Sequence, residues 1–155
     1  MTRPPIPTTP IFGGCLCGAV RYQIGTPLSV SACHCSDCKK LSGATNLLMV
    51  LTPVAEFSRA GETDVYPKSA DSGRVVMVHR CKDCGTRLWH ETQLGAQYML
   101  VAAGTLDDSS WAIPTAHIWT KRAAAHEQFQ PDALLVEGQP TDREGMIAAF
   151  KRIYG

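Results

Sequence analysis

The stretch Cys33-His34-Cys35-Ser36-Asp37-Cys38 packs three cysteines into six residues, and how they pair with the other four decides the fold. Those four are Cys15, Cys17, Cys81 and Cys84, so the seven fall into three clusters, C-x-C, C-x-C-x-x-C and C-x-x-C. Seven is odd, which rules out a complete disulfide framework within one chain, and clustered cysteines in a reducing compartment point to metal ligation. C-x-C on a strand would set two sulfurs on one face, and the C-x-x-C turn before Gly85 would converge two more. Spacing leaves two pairings open. Cys35 and Cys38 could join Cys81 and Cys84 in a zinc ribbon, leaving Cys15, Cys17 and Cys33 spare. Alternatively Cys15, Cys17, Cys81 and Cys84 close a tetrahedral four-sulfur site, and Cys33, Cys35 and Cys38 form a separate three-thiolate site. Local economy favours the second, because every cluster stays whole.

The rest of the chain bounds the setting. At 155 residues it reads as one domain large enough to bury a core without staples. No apolar run approaches the ~18 residues that cross a bilayer. Residues 1–12, with Pro4, Pro5, Pro7 and Pro10, read as a flexible tail with no secretory h-region, and residues 13–155 as a single zinc-binding domain. A cytoplasmic location is expected, with no membrane partner. The formal charge is +1 with neutral thiols; seven thiolates on two divalent ions bring it to −2. Neither value supplies the basic footprint of a nucleic-acid binder.

Pattern favours β structure. Val20, Tyr22 and Ile24 alternate with Arg21 and Gln23, and Leu28–Ala32 alternates into Cys33. Leu47–Leu51 suits a strand covered on both faces, and Val75–Val78, Tyr98–Ala102 and Ala116–Trp119 are further β-rich runs. Gly61-Glu62, Asp71-Ser72-Gly73 and Gly104 signal turns. Ser36 is the expected N-cap of a short helical turn through Leu41. Thr141 to Glu144 has capping-box form, opening a C-terminal helix with Met146, Ile147, Phe150 and Tyr154 on its apolar stripe.

Gly14-Cys15-Leu16-Cys17-Gly18-Ala19-Val20-Arg21-Tyr22 and the CHCSDC stretch resemble the opening of the glutathione-dependent formaldehyde-activating enzyme family, which also includes centromere protein V. So do Cys81-Lys82-Asp83-Cys84-Gly85-Thr86-Arg87-Leu88, Ala103 to Asp108, and His117-Ile118, so that the likeness runs from about Gly13 to Lys121. It implies a mainly β, β-tent fold of antiparallel sheets around two zinc ions. Cys15, Cys17, Cys81 and Cys84 would hold a structural zinc, and Cys33, Cys35 and Cys38 a second zinc at a catalytic, open site. Its implied activity is carbon–sulfur lyase chemistry, joining glutathione or a related thiol to formaldehyde as an S-hydroxymethyl adduct. The chain departs from the family at Arg80, where an aromatic residue is common, and at Ala123–His126, where a Trp is.

A non-catalytic zinc module for protein interaction is the alternative. A methionine sulfoxide reductase of the same fold would need a redox cysteine outside the zinc site, and none follows Cys84. The fourth ligand of the second zinc is expected to be exogenous, water and then a substrate thiolate, with Lys39 or Lys40 offsetting the charge. His34 should point away from the sulfurs, and His79 stands beside a site that four cysteines already close. His90, His117 and His126 read as core-edge or surface residues, Trp89, Trp111 and Trp119 as core, Asp37 as a helix-dipole partner, and Asp107 and Asp108 as turn residues.

Overall fold

Each of the six apolar or alternating runs becomes a strand in a computed structural model that describes residues 2–70, 73–93 and 96–155. Of the expected turns, residues 71 and 72 lie outside the described residues. A small antiparallel sheet pairs β1 (Ile11–Gly14), β2 (Arg21–Ile24) and β5 (Ser58–Ala60). The large sheet holds β3 (Ser29–Cys33), β4 (Leu47–Pro53), β6 (Thr63–Ser69), β7 (Val75–Cys81), β8 (Arg87–Thr92), β9 (Tyr98–Ala102), β10 (Ala116–Ile118) and β11 (Leu134–Val136). Its order is β11-β10-β3-β4-β9-β8-β7-β6.

The architecture is mainly β, but the large sheet is mixed, because β10 runs parallel to both β3 and β11. The connection over residues 119–133 is long enough for a parallel return, which a hairpin turn cannot make. The two sheets lean on one core, where Ile11, Tyr22 and Ile24 of the small sheet meet Val50, Leu88, Trp89 and Val101 of the large one. Phe57 wedges between them, its ring 5.1 Å from Trp89 and 5.9 Å from Tyr22.

β3 alternates in sequence yet is buried along its whole length. The C-terminal helix α2 (Glu144–Tyr154) packs on it with Met146 and Phe150 buried. The expected capping box at the helix start does not form. Arg143 is the N-cap residue without a side-chain bond, and the Asp142 carboxylate accepts the Glu144 N–H at 2.9 Å instead. The shorter helix α1 (Ser36–Ser42) is capped one residue earlier than Ser36, by the Cys35 sulfur accepting the Cys38 N–H.

The N-terminal boundary also moves, since Ile11 and Phe12 belong to β1. Residues 2–10 form no helix or strand, but Arg3 ties them to the domain. Its guanidinium bonds Asp132 and the carbonyls of Ile113 and Pro114, with its side chain only 8% exposed. No helix of the described residues is long and apolar enough to cross a membrane.

Candidate metal centres and cavity

The four sulfurs of Cys15, Cys17, Cys81 and Cys84 lie within 4.8 Å of one another, although Cys17 and Cys81 are 64 positions apart in sequence. Neither C-x-C sits on a strand as expected. Cys15 and Cys17 occupy the turn between β1 and β2, and Cys33 ends β3 while Cys35 is the N-cap residue just before α1. Turns achieve the convergence. Gly18 and Gly85 take left-handed φ values of 82° and 73°, and Gly85 donates to the Cys81 carbonyl at 2.9 Å. The Thr86 hydroxyl stitches the two turns, accepting the Leu16 N–H and lying 3.1 Å from the Cys84 sulfur. With its backbone N–H it holds the Cys84 thiol down to about 5. Zinc–sulfur bonds of ~2.3 Å in a tetrahedron require sulfurs ~3.8 Å apart. Here Cys15 and Cys17 stand at 3.5 Å, and Cys17 and Cys81 at 3.8 Å, so the donor set fits such an ion.

Cys33, Cys35 and Cys38 form a second group within the same 4.8 Å limit, without a fourth Cys, His, Asp or Glu among the described residues. The ribbon pairing of Cys35 and Cys38 with Cys81 and Cys84 is therefore not the one adopted. Hydrogen bonds from the Cys33 and Cys38 thiols hold the Cys35 thiol well below its ordinary value.

This second group opens into a cavity of about 170 Å³. Leu41, Leu47 and Met49 supply apolar wall, and Lys68, His90 and Trp119 line it as well. Trp119 is not a core residue like Trp89 and Trp111, which are fully buried. It adopts φ 59°, strained for a bulky side chain, and is held by its Nε1–H donating to Gln139 at 3.0 Å.

Residues that local spacing could not reveal supply the electrostatics. Arg87 on β8 is shielded, with Nε and Nη1 lacking hydrogen-bond partners, while Nη2 donates to the His90 ring. Burial lowers its pKa to about 10, and the charges of Cys38, Cys33 and Cys35 pull it back upward. Burial, then the Arg87 charge, keeps His90 neutral, its pKa well below 6.5. Arg87 thus acts electrostatically on the three thiols, and Lys68, in the cavity wall, acts on Cys35 and Cys38 as well. The lysines expected in that role are turned elsewhere: Lys39 donates to the Arg122 carbonyl, and Lys40 is exposed. Asp37 pairs with Lys68 at 2.8 Å, which bridges α1 to the cavity wall.

His34 points away from the sulfurs, into the core. Its Nε2 meets His117 Nδ1 at 2.9 Å, and His117 Nε2 meets Gln130 Oε1 at 2.7 Å. Both rings are buried, at 0% and 2% exposure, so His117 is no surface residue. If Gln130 accepts from His117 Nε2–H, then His117 Nδ1 accepts from His34, leaving His34 Nδ1 bare, as its lack of a partner requires. His79 Nδ1 bonds the Thr63 hydroxyl and its Nε2 lies 3.2 Å from the Glu91 carboxylate, and His126 is exposed. Asp107 does more than turn the chain, pairing with Arg21 at 2.8 Å, while Asp108 accepts the Ser110 N–H.

Residues 10–122 match the family model described as glutathione-dependent formaldehyde-activating enzyme. Relatives provisionally named for that activity include one from Podospora anserina, 30% identical over 51% of this chain and 38% of its own length. A second, from Halomonas elongata, is 30% identical over 50% of this chain and 53% of its own. A third, from Aspergillus flavus, is 26% identical over 64% and 55%. The chain thus spans about half or less of the length of these relatives. A Rhodobacter sphaeroides crystal structure shares the fold at a TM-score of 0.52 and 18% identity, covering 63% of this chain and 88% of that one. The matched region contains all seven cysteines of both groups, and the chain belongs to the glutathione-dependent formaldehyde-activating enzyme family.

Proposed function

We propose that this chain is a zinc enzyme that joins a thiol, glutathione or a relative of it, to formaldehyde or a similar aldehyde, and cleaves the same carbon–sulfur bond in reverse. The observation that carries this reading is the contrast between the two cysteine groups. Four sulfurs complete one site, whereas three sulfurs in the other line a cavity. Three protein ligands with an open position is the pattern of catalytic zinc, and four thiolates that of structural zinc.

Zinc held by Cys33, Cys35 and Cys38 would act as a Lewis acid that favours the thiolate form of a substrate thiol. The chain's own residues set the conditions around it. Arg87 offsets the negative charge that three cysteine thiolates and a substrate thiolate would gather. Leu41, Leu47 and Met49 keep water from the reacting sulfur, and the cavity walls hold thiol and aldehyde together, replacing a bimolecular encounter by proximity. The substrate sulfur's electron pair forms the bond to the aldehyde carbon, the C=O π pair moves to oxygen, and that oxygen takes a proton equivalent to the one the thiol released. We place the activity in the cytoplasm, where thiols stay reduced.

Exchange between 13C-formaldehyde, glutathione and their adduct, followed by NMR, tests the proposal. Zinc-loaded protein should accelerate exchange over buffer, and Cys38→Ser should abolish the acceleration. Fully loaded protein that leaves exchange unchanged for a panel of thiols and aldehydes would transfer the reading to a non-catalytic zinc module.

A further inference from the structure

Beyond the three cysteines, the charged side chains that line the cavity are cationic. Lys68, Arg74 and Arg143 all line it, and among the described residues no carboxylate does. Lys68 is neutralised by Asp37 at 2.8 Å. Arg143 is not. It precedes α2, outside the family-matched residues 10–122, and enters the cavity from the C-terminal segment. Among the described residues its Nη2 reaches only the Thr92 hydroxyl, at 3.4 Å, and its Nε is shielded from solvent with no hydrogen-bond partner. A partly shielded guanidinium with spare donors and, among the described residues, no carboxylate beside it is costly in isolation, and a planar carboxylate is the group its fork fits.

We propose that Arg143 is the specificity-determining residue of this cavity, pairing with a carboxylate of the thiol substrate while the thiol lies at Cys33, Cys35 and Cys38. The thiol half of this statement rests on the function proposed above; the carboxylate half does not. At about 170 Å³ the cavity is smaller than the ~300–1,000 Å³ of most ligand pockets. It suits a small mercapto acid, or the acidic end of a larger thiol whose remainder lies outside.

Two thiols differing in one group make the test. 3-Mercaptopropionate and 2-mercaptoethanol are titrated calorimetrically into the zinc-loaded full chain, so that binding is read without turnover. The wild type should bind the acid about ten- to a hundredfold more tightly, the range of a charge-assisted hydrogen bond. Added salt should weaken only the acid. Arg143→Gln should erase the preference while leaving 2-mercaptoethanol unaffected, and Arg143→Lys should keep part of it. Thermal melts establish that each variant is folded. If Arg143→Gln does not fold, Arg143→Lys and the wild-type salt dependence still decide. 3-(Methylthio)propionate, which has the carboxylate but no thiol, separates the two readings. Binding that is lost in Arg143→Gln upholds the Arg143 assignment even if neither thiol reaches the cysteines. A wild type that does not prefer the acid, or a folded Arg143→Gln that still prefers it, for instance through Arg74, overturns the assignment.

Discussion

Replacing one cysteine in each group should damage the fold to very different degrees. Cys81→Ser removes a ligand from the group that ties residues 64 positions apart, Cys17 to Cys81. Closing a loop of that length with a cross-link is worth about 4 kcal/mol. Cys33 to Cys38 spans a loop of only about six residues, for which the same relation gives about 2 kcal/mol. Context widens the gap, because Cys81 is packed in the main core at 1% exposure, while Cys38 lies partly buried against the small cluster of Leu47, Met49 and Ala102. In a chain of this size each kcal/mol moves the melting temperature by roughly 2–4 °C. Cys38→Ser should therefore melt about 4–8 °C below the wild type and retain one zinc. Cys81→Ser should lose at least about 8–16 °C. It should fail to fold altogether if most of the ~10–16 kcal/mol of a structural zinc is lost, since whole domains are stable by only ~5–15 kcal/mol. Thermal melts paired with elemental analysis read both quantities. Equal destabilisation of the two variants, or loss of both metals from Cys38→Ser, would refute the division into a structural and an open site.

Arg87→Met should weaken zinc binding at the three-cysteine group about five- to thirtyfold in chelator competition, the worth of a neighbouring charge of ~1–2 kcal/mol at an effective dielectric near 20; unchanged affinity would remove Arg87 as their counter-cation. Arg3→Gln should lower stability by about 1–3 kcal/mol through the lost bonds to Asp132, Ile113 and Pro114, whereas a freely moving tail would show no effect in the melt. His90 stays neutral in the fold, its pKa depressed below 6.5, so only the unfolded chain takes up a proton as pH falls through about 6.5. Stability should therefore drop below that pH by up to ~1.4 kcal/mol per pH unit from this group, and a His90→Gln variant with the wild-type pH slope would contradict its burial as a neutral base.

The cysteine groups were legible because metal ligation imposes short, local spacings, and six strands were legible because their runs either alternate at strand period or are short, continuous and apolar between turn signals. What escaped depends on partners distant in sequence. β6 is mostly exposed along its length and shows no apolar face, so only its pairing with β7 makes it a strand. β8 was hidden by Arg87 and His90, which read as polar residues until β8 lies between β7 and β9. The His34–His117 pair needs the parallel register that sets His117 beside Ala32. Arg143 is a plain helix-flanking residue in sequence, and it becomes a cavity residue only when α2 docks on β3.

The central claim is that the three-cysteine group takes its fourth ligand from a substrate thiol. Zinc-edge X-ray absorption on fully loaded protein tests it most directly. Two four-coordinate ions bound by seven cysteines leave one oxygen or nitrogen neighbour in the averaged shell. Saturating glutathione should replace that neighbour with sulfur in the wild type. A shell already all sulfur before glutathione is added, or one that saturating glutathione leaves unchanged, would contradict the open site.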